Sequence, residues 1–233
     1  AKAGTKLTRA NFACLMSGTP ISGDYIKAEG KAGRMGARLM TIVAEGDRGR
    51  VYLAPTPDHE AVALLASPEW RPEGEIPARM TGGNCTPYGL TTWGDLFTSR
   101  QLVGLSTFSA LVGEAIARVR RDAVTAGMPD DGKPLRDSGN QATAYAEAVS
   151  VYLAFALDRT ADYSSSIATW RPKDSAMRST LAKQAIPMSW DFAEGSPFGD
   201  SSSGFAACVD VVASVISRSL GLPWAGKAVQ ANA

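Results

Sequence analysis

Between residues 105 and 119 the apolar positions Leu105, Phe108, Val112, Ile116 and Val119 recur every three or four residues, one face of a helix. Thr98-Ser99-Arg100-Gln101 just ahead reads as a capping box, in which the threonine hydroxyl takes an orphan amide and the glutamine reaches back. Gly127 is the natural stop. A second helix is expected over about 141–161. Its middle, 146–157, is apolar almost all round, which predicts a buried central helix. A shorter helix is expected over 173–183. A last one should run from about 203 to 220, with Phe205, Val209, Val212 and Ile216 on one face and Gly221 as its stop. The tail, 226–233, offers the start of a strand.

The first 55 residues carry a different, β-rich pattern. Apolar runs at 39–43 and 51–53 flank Gly46-Asp47-Arg48-Gly49, a hairpin signal. Thr56-Pro57-Asp58 then opens a short helix reaching Leu65, with proline in its first turn. Residues 67–95 are rich in proline, glycine and threonine and read as a long ordered loop, the kind that is usually functional. Its end, PYGLTTWGDLF, places Tyr88, Trp93 and Phe97 among glycines. The expected fold is α+β and mostly helical. It divides into a small β-rich part with a hairpin and short helix (1–66), a long aromatic loop (67–97) and a larger helical part (98–233).

Composition narrows the function little. The chain has 233 residues, 45% apolar and 20% charged, with a net charge of +1; that is ordinary for a globular protein and does not announce a nucleic-acid binder. Any basic face must be local. Cys14, Cys85 and Cys208 are far apart and form no CxxC pair, which excludes a zinc ribbon or thioredoxin-like site. That usage suits a reducing cytoplasm. No apolar run reaches the roughly 20 residues that cross a bilayer, the longest being 149–157. AKAGTK has no apolar h-region, so no signal peptide is expected there.

Four constellations bear on chemistry. The single histidine, His59, lies at a helix start with no nucleophile in view, and reads as a solvated helix-end residue. In KAEGKAGRMGAR, Gly30, Gly33 and Gly36 interleave with Lys27, Lys31, Arg34 and Arg38, opposed only by Glu29. Glycines let backbone amides approach an anion and the cations attract it, so this is the candidate phosphate-contact segment, against a solvated turn. It is neither a Walker A loop nor a dinucleotide fingerprint. Arg118, Arg120 and Arg121 suit the end of a helix dipole. In IPMSWDFAEGSPF, Asp191 and Glu194 are two acids three apart, beside Trp190, Phe192 and Phe198; an acid/base pair there lacks supporting groups, and packing is the plainer meaning.

Five strings occur in order: DYIKAEGKAGRMGARLM, IVAEGDRGRVYL, YGLTTWGDLFTSRQLVGLSTFSALV, AYAEAVSVYLAFALDR and IPMSWDFAEGSPF. Together they resemble the middle region of a family of large adenine-specific DNA methyltransferases, some associated with anti-phage defence, over about residues 11–233. The resemblance implies S-adenosylmethionine as the cofactor of a full-length parent, bound by a glycine-rich motif upstream, and an Asp-Pro-Pro-Tyr catalytic motif downstream. Neither motif is in these 233 residues, so this chain alone is expected to bind no cofactor and transfer no methyl group. Many relatives resemble zinc-ribbon proteins, with a Cys-x-x-Cys pair before the GTPI segment. Here that stretch is Cys14-Leu15-Met16-Ser17, which keeps one thiol, and no metal is expected.

The resemblance places the aromatic loop outside the catalytic core, as a clamp joining the β part to the long helix. It should bury Trp93 and Phe97 and leave Tyr88 for a partner. The expectation is a cytoplasmic, non-catalytic middle segment of a DNA adenine-N6 methyltransferase, working with the rest of its parent and away from membranes. It would contribute DNA contacts through Lys27, Lys31, Arg34 and Arg38, or structural support. The alternative is a protein–protein module of a bacterial defence system, with Tyr88, Trp93, Trp190 and Asp191 on its interaction loops.

Overall fold

The computed structural model describes residues 5, 7, 8, 11–81, 84–182 and 185–219. The fold is α+β and mostly helical, with five α-helices and three small antiparallel ribbons among the described residues. The strands β1 (Phe12–Ala13) and β2 (Pro20–Ile21) pair across a turn in which the Gly18 amide donates to the Cys14 carbonyl. The first helix, α1 (Gly23–Lys31), follows at once. Ser22 caps it, accepting from the Tyr25 amide at 3.2 Å. It ends in a Schellman turn. Gly33 (φ +68°) donates to the Gly30 carbonyl and Arg34 to that of Glu29, each at 3.0 Å.

The hairpin read from the sequence is present. Strands β3 (Ile42–Gly46) and β4 (Gly49–Leu53) pair from Ile42↔Leu53 to Gly46↔Gly49, which leaves Asp47 and Arg48 at the tip. The short helix is α2 (Pro57–Leu64), starting at Thr56. His59 takes the position usually held by Glu in a capping box: its Nδ1 accepts from the Thr56 amide at 3.0 Å and lies 2.8 Å from the Thr56 hydroxyl. The helix-end expectation for His59 thus acquires a specific structural role.

The helical part holds α3 (Ser99–Thr125), α4 (Ala142–Asp162) and α5 (Phe205–Ser219). The expected capping box opens α3. Thr98 Oγ1 accepts from the Gln101 amide at 3.3 Å, and Gln101 Oε1 accepts from the Thr98 amide at 2.8 Å. Gly127 (φ +94°) closes it with a second Schellman turn. Helix α4 packs between α3 and α5, and the stacked rings of Phe108 and Phe205, 4.6 Å apart, join α3 to the start of α5. Leu220, Gly221 and the tail strand lie outside the described residues.

Two expectations need correction. Residues 173–182, the described part of the helix expected over 173–183, are not helical: β5 (Thr169–Arg171) and β6 (Ala176–Arg178) form a hairpin. Asp174 and Ser175 turn back onto the Arg171 and Pro172 carbonyls, and Ser175 takes a left-handed φ of +46°. Helix α4 is not buried all round. Ala142, Ala144, Ala146, Ala156 and Thr160 face inward, while Tyr145, Val151, Tyr152 and Phe155 stay exposed. Small residues bring the neighbouring helices close, and the bulky ones are left outside. Separately from these corrections, α3 is long and apolar enough to cross a membrane by length and composition alone, and 6% of its most apolar stretch is buried.

The apolar core lies under the aromatic loop. Ile76, Cys85, Leu96, Ile167 and Ile186 form it, and Leu90, Trp93, Phe97 and Met188 pack against it half-buried. Two short turns shape this loop, Thr86–Tyr88 and Trp93–Leu96. Asp95 holds the second, accepting from the Thr91 and Thr92 amides at 2.9 and 2.8 Å. Burial pushes the Asp95 carboxyl up, but these amides outweigh it and leave it below the usual carboxylate range. Residues 67–97 thus supply Ile76, Cys85 and Leu96 to the core itself.

Candidate nucleic-acid interface

The four cations singled out in the sequence are split between α1 and the segment after it. Lys27 and Lys31 lie on α1, which replaces the expected glycine loop. Gly30 is buried, and a Cβ there would stand 2.5 Å from the Tyr88 carbonyl oxygen. Gly33 ends the helix. Two of the three glycines thus serve packing and termination rather than an anion. Most of the cations are also engaged. Lys27 Nζ lies 3.3 Å from Asp24, the Arg34 guanidinium makes a two-pronged bond to Glu29 at 2.7 and 2.8 Å, and Arg38 lies 3.8 Å from Glu60. The Arg34 guanidinium holds the Glu29 carboxyl below its ordinary value. Only Lys31 of the four has no ion pair among the described residues.

The aromatic loops meet one another. Trp190 lies 5.5 Å from Phe12 and 5.4 Å, edge-on, from Tyr88, so one indole joins β1 to both loops. Tyr88 is half-buried in this cluster instead of standing free, Trp93 is half-buried on the core, and Trp190 keeps 49% of its surface exposed. Asp191 is exposed. Its neighbour Glu194 is committed elsewhere, accepting two hydrogen bonds of 3.0 Å from the Arg100 guanidinium and one from the Thr98 hydroxyl. The acid pair therefore reads as one solvated carboxylate and one fastener between this loop and the start of α3.

Of the arginines late in α3, Arg118 lies 3.7 Å from Asp122, and Arg120 donates to Asp130 at 2.7 Å. Asp130 also accepts from the Thr143 hydroxyl and amide and from the Gly132 amide. The Thr143 hydroxyl, with Arg120, holds its carboxyl far below the usual range. These residues fix the α3–α4 connection.

One basic constellation escaped the sequence reading. The β3–β4 and β5–β6 hairpins, more than 100 residues apart, touch through polar and aromatic groups. Arg50 Nη1 donates to the Ser175 carbonyl at 2.6 Å, and its guanidinium sits 5.5 Å from the centre of the Trp170 ring. Trp170 Nε1 donates to the Tyr52 hydroxyl at 3.2 Å, with the two rings 6.5 Å apart and edge-on. Beside this junction is a shallow recess of about 360 Å³ lined by Trp170, Pro172 and the charged Arg171, Lys173, Asp174 and Arg178. Its sequence signal was the turn string Arg-Pro-Lys-Asp-Ser, hidden by reading 173–183 as a helix.

No group of three or more histidine, cysteine, aspartate or glutamate side chains among the described residues is placed to hold a metal. The neighbouring Ser17 hydroxyl and amide hold the Cys14 thiol below its ordinary value. Compared with known protein families, with curated proteins and with solved structures, the chain finds no match.

Proposed function

We propose that this chain is a non-catalytic segment of an S-adenosylmethionine-dependent DNA adenine-N6 methyltransferase, and that it serves as a support for the catalytic part with a contribution to DNA contact. The resemblance of its five sequence strings to the middle region of that family suggests the enzyme. The observation that carries the supporting role is the apolar surface left on packed helices. Tyr145, Val151, Tyr152 and Phe155 on α4 stay exposed, as do Val211 and Val215 on α5. On α4 the rings of Tyr152 and Phe155 lie edge-on, 6.2 Å apart, and exposed apolar surface of this kind supports an interaction site.

The test begins with the coding frame around this segment. A glycine-rich methyl-donor motif upstream and an Asp-Pro-Pro-Tyr motif downstream are expected. In that full-length protein, Tyr152→Ser with Phe155→Ser should lower methyl transfer to adenine and leave the isolated 233-residue chain folded. A frame without either motif, or a double variant with full activity, overturns the reading. The apolar face equally fits a separate protein partner. In that case a partner complex insensitive to salt is lost in Trp190→Ala or the Tyr152/Phe155 variant, without any methyltransferase motif in the frame.

A further inference from the structure

We infer that the joined hairpins β3–β4 and β5–β6 form a binding surface for the sugar-phosphate backbone of DNA, centred on Lys173 and Arg178. The choice of DNA over other polyanions rests on the methyltransferase reading; the location rests on the geometry alone.

The charge distribution selects this surface over the α1 segment. Lys173, Arg178 and Arg48 are exposed and have no ion pair among the described residues. Arg171 is held by Asp174 at 3.2 Å, and Arg50 is spent on the junction itself. The α1 segment leaves one cation of its four unengaged, whereas the hairpins leave three of five. Glu45 and Asp47 on β3 and its turn, with Asp174, are the opposing acids. A phosphate approaching through the recess meets Lys173 and Arg178, with Asp174 already turned to Arg171.

The junction makes this a built surface. Two short ribbons alone are marginal in water. Here a hydrogen bond, a cation–π contact and an edge-on aromatic pair fix one against the other. That rigidity sets the spacing of the free cations before any ligand arrives, so little ordering is lost on binding. Polar groups extend the track. Arg178 and Thr169 also line a smaller neighbouring recess of about 70 Å³ with Ser179 and Ser189, hydroxyls of the kind that contact phosphate and sugar oxygens. The apolar walls, Trp170 and Pro172, are flat surfaces for a sugar or an unpaired base. An acidic protein segment satisfies the cations but makes no use of these walls.

The experiment is a salt-dependent titration of the 233-residue chain with a short labelled DNA duplex, and with the matching single strand, read by fluorescence anisotropy. Lys173→Ala and Arg178→Ala should each weaken binding evenly across sequences and lower the salt slope by about 1. Circular dichroism verifies the fold of each variant. Lys27→Ala with Lys31→Ala should keep the wild-type slope. The preferred strand form distinguishes backbone contact alone from contact plus base stacking, and a preference for either supports the surface. Absence of DNA binding by the wild-type chain at low salt overturns it. So does an unchanged slope in the Lys173/Arg178 double variant, or displacement of DNA by a short poly-glutamate as efficient as by unlabelled DNA. A slope lowered only by the α1 variants moves the contact to α1 and leaves the methyltransferase reading standing. That reading fails separately, on the flanking motifs.

Discussion

The Gly30 carbonyl occupies the space that a side chain on Gly89 would need, and neither glycine has room for a Cβ. A Cβ on Gly30 meets the Tyr88 carbonyl at 2.5 Å, and one on Gly89 collides with the Gly30 carbonyl oxygen. Gly89 also holds a left-handed φ of +87°. Backbone lies against backbone where α1 crosses the aromatic loop. Gly30→Ala should therefore cost about 1–3 kcal/mol of stability by overpacking. Gly89→Ala adds conformational strain of about 1 kcal/mol or more. Gly36→Ala, which opens onto empty space, is the control and should leave the melting temperature nearly unchanged. Thermal unfolding of the three variants checks the ranking.

The acid side of the stability curve should carry a mark of Asp130. Its folded pKa lies below its unfolded value, near 4. Between the two values the unfolded chain binds more protons. The stabilisation is thus complete above about pH 4 and drains away as pH falls through that window toward the folded value. Asp130→Asn should lower the melting temperature at neutral pH and flatten its decline under acid. A wild-type acid slope retained in the variant would show that other carboxylates dominate.

Thiol labelling should run in a fixed order. Cys14 is partly exposed, and the nearby Ser17 hydroxyl and amide hold its thiol below the ordinary value. Cys85 is buried, donates to the Ile186 carbonyl and is pushed up by desolvation. Cys208 is also buried. One equivalent of an alkylating reagent should react in the native protein, at Cys14, and the other two only in denaturant. Peptide mapping after a brief pulse decides it, and early modification of Cys85 would contradict the position of the core.

Glu194 should behave as a fastener. Glu194→Gln loses a two-pronged charged contact at a partly exposed site, an effect below about 1 kcal/mol. Its local signature is faster proteolysis within residues 186–198, because this bond ties that loop to α3. Asp191→Asn, with its side chain in solvent, should change neither quantity.

The contrast between α3 and the hairpin at Trp170 shows what was legible in the sequence. Local signals carried α3: a capping box, a helical apolar period and a terminal glycine agree with one another, and nothing distant is needed. The β3–β4 hairpin and α2 were legible for the same reason. The β5–β6 hairpin was missed because Lys173-Asp174-Ser175-Ala176 tolerates a helix, while the deciding partner, Tyr52, lies 118 positions away. The glycine spacing at 30 and 33 suggested an anion loop because the carbonyls of Tyr88 and Gly30 that use it belong to a fold the local string does not reveal. The apolar middle of α4 announced burial, but apolarity does not say whether the cover belongs to this chain. For the candidate site, Lys31 kept a free charge, and the ion pairs of the other three depend on how α1 and α2 turn their acids.

The position of the core under the aromatic loop also sets an order of events during synthesis. Helices α3 and α4 are consecutive, joined by residues 126–141, and their contacts form among residues nearer in sequence than those that close the core. The loop closes only on late sequence: the Met80 carbonyl accepts from the Ile186 amide, that of Leu96 from the Ser166 amide, and the Cys85 thiol bonds the Ile186 carbonyl. Contacts of such long separation form slowly. A nascent chain that has reached α4 thus holds its helical pair while Trp93, Phe97 and Cys85 still wait, open to solvent, for residues almost a hundred positions downstream. That interval exposes the chain to misassembly, and it ends when the stretch around Ile186 leaves the ribosome.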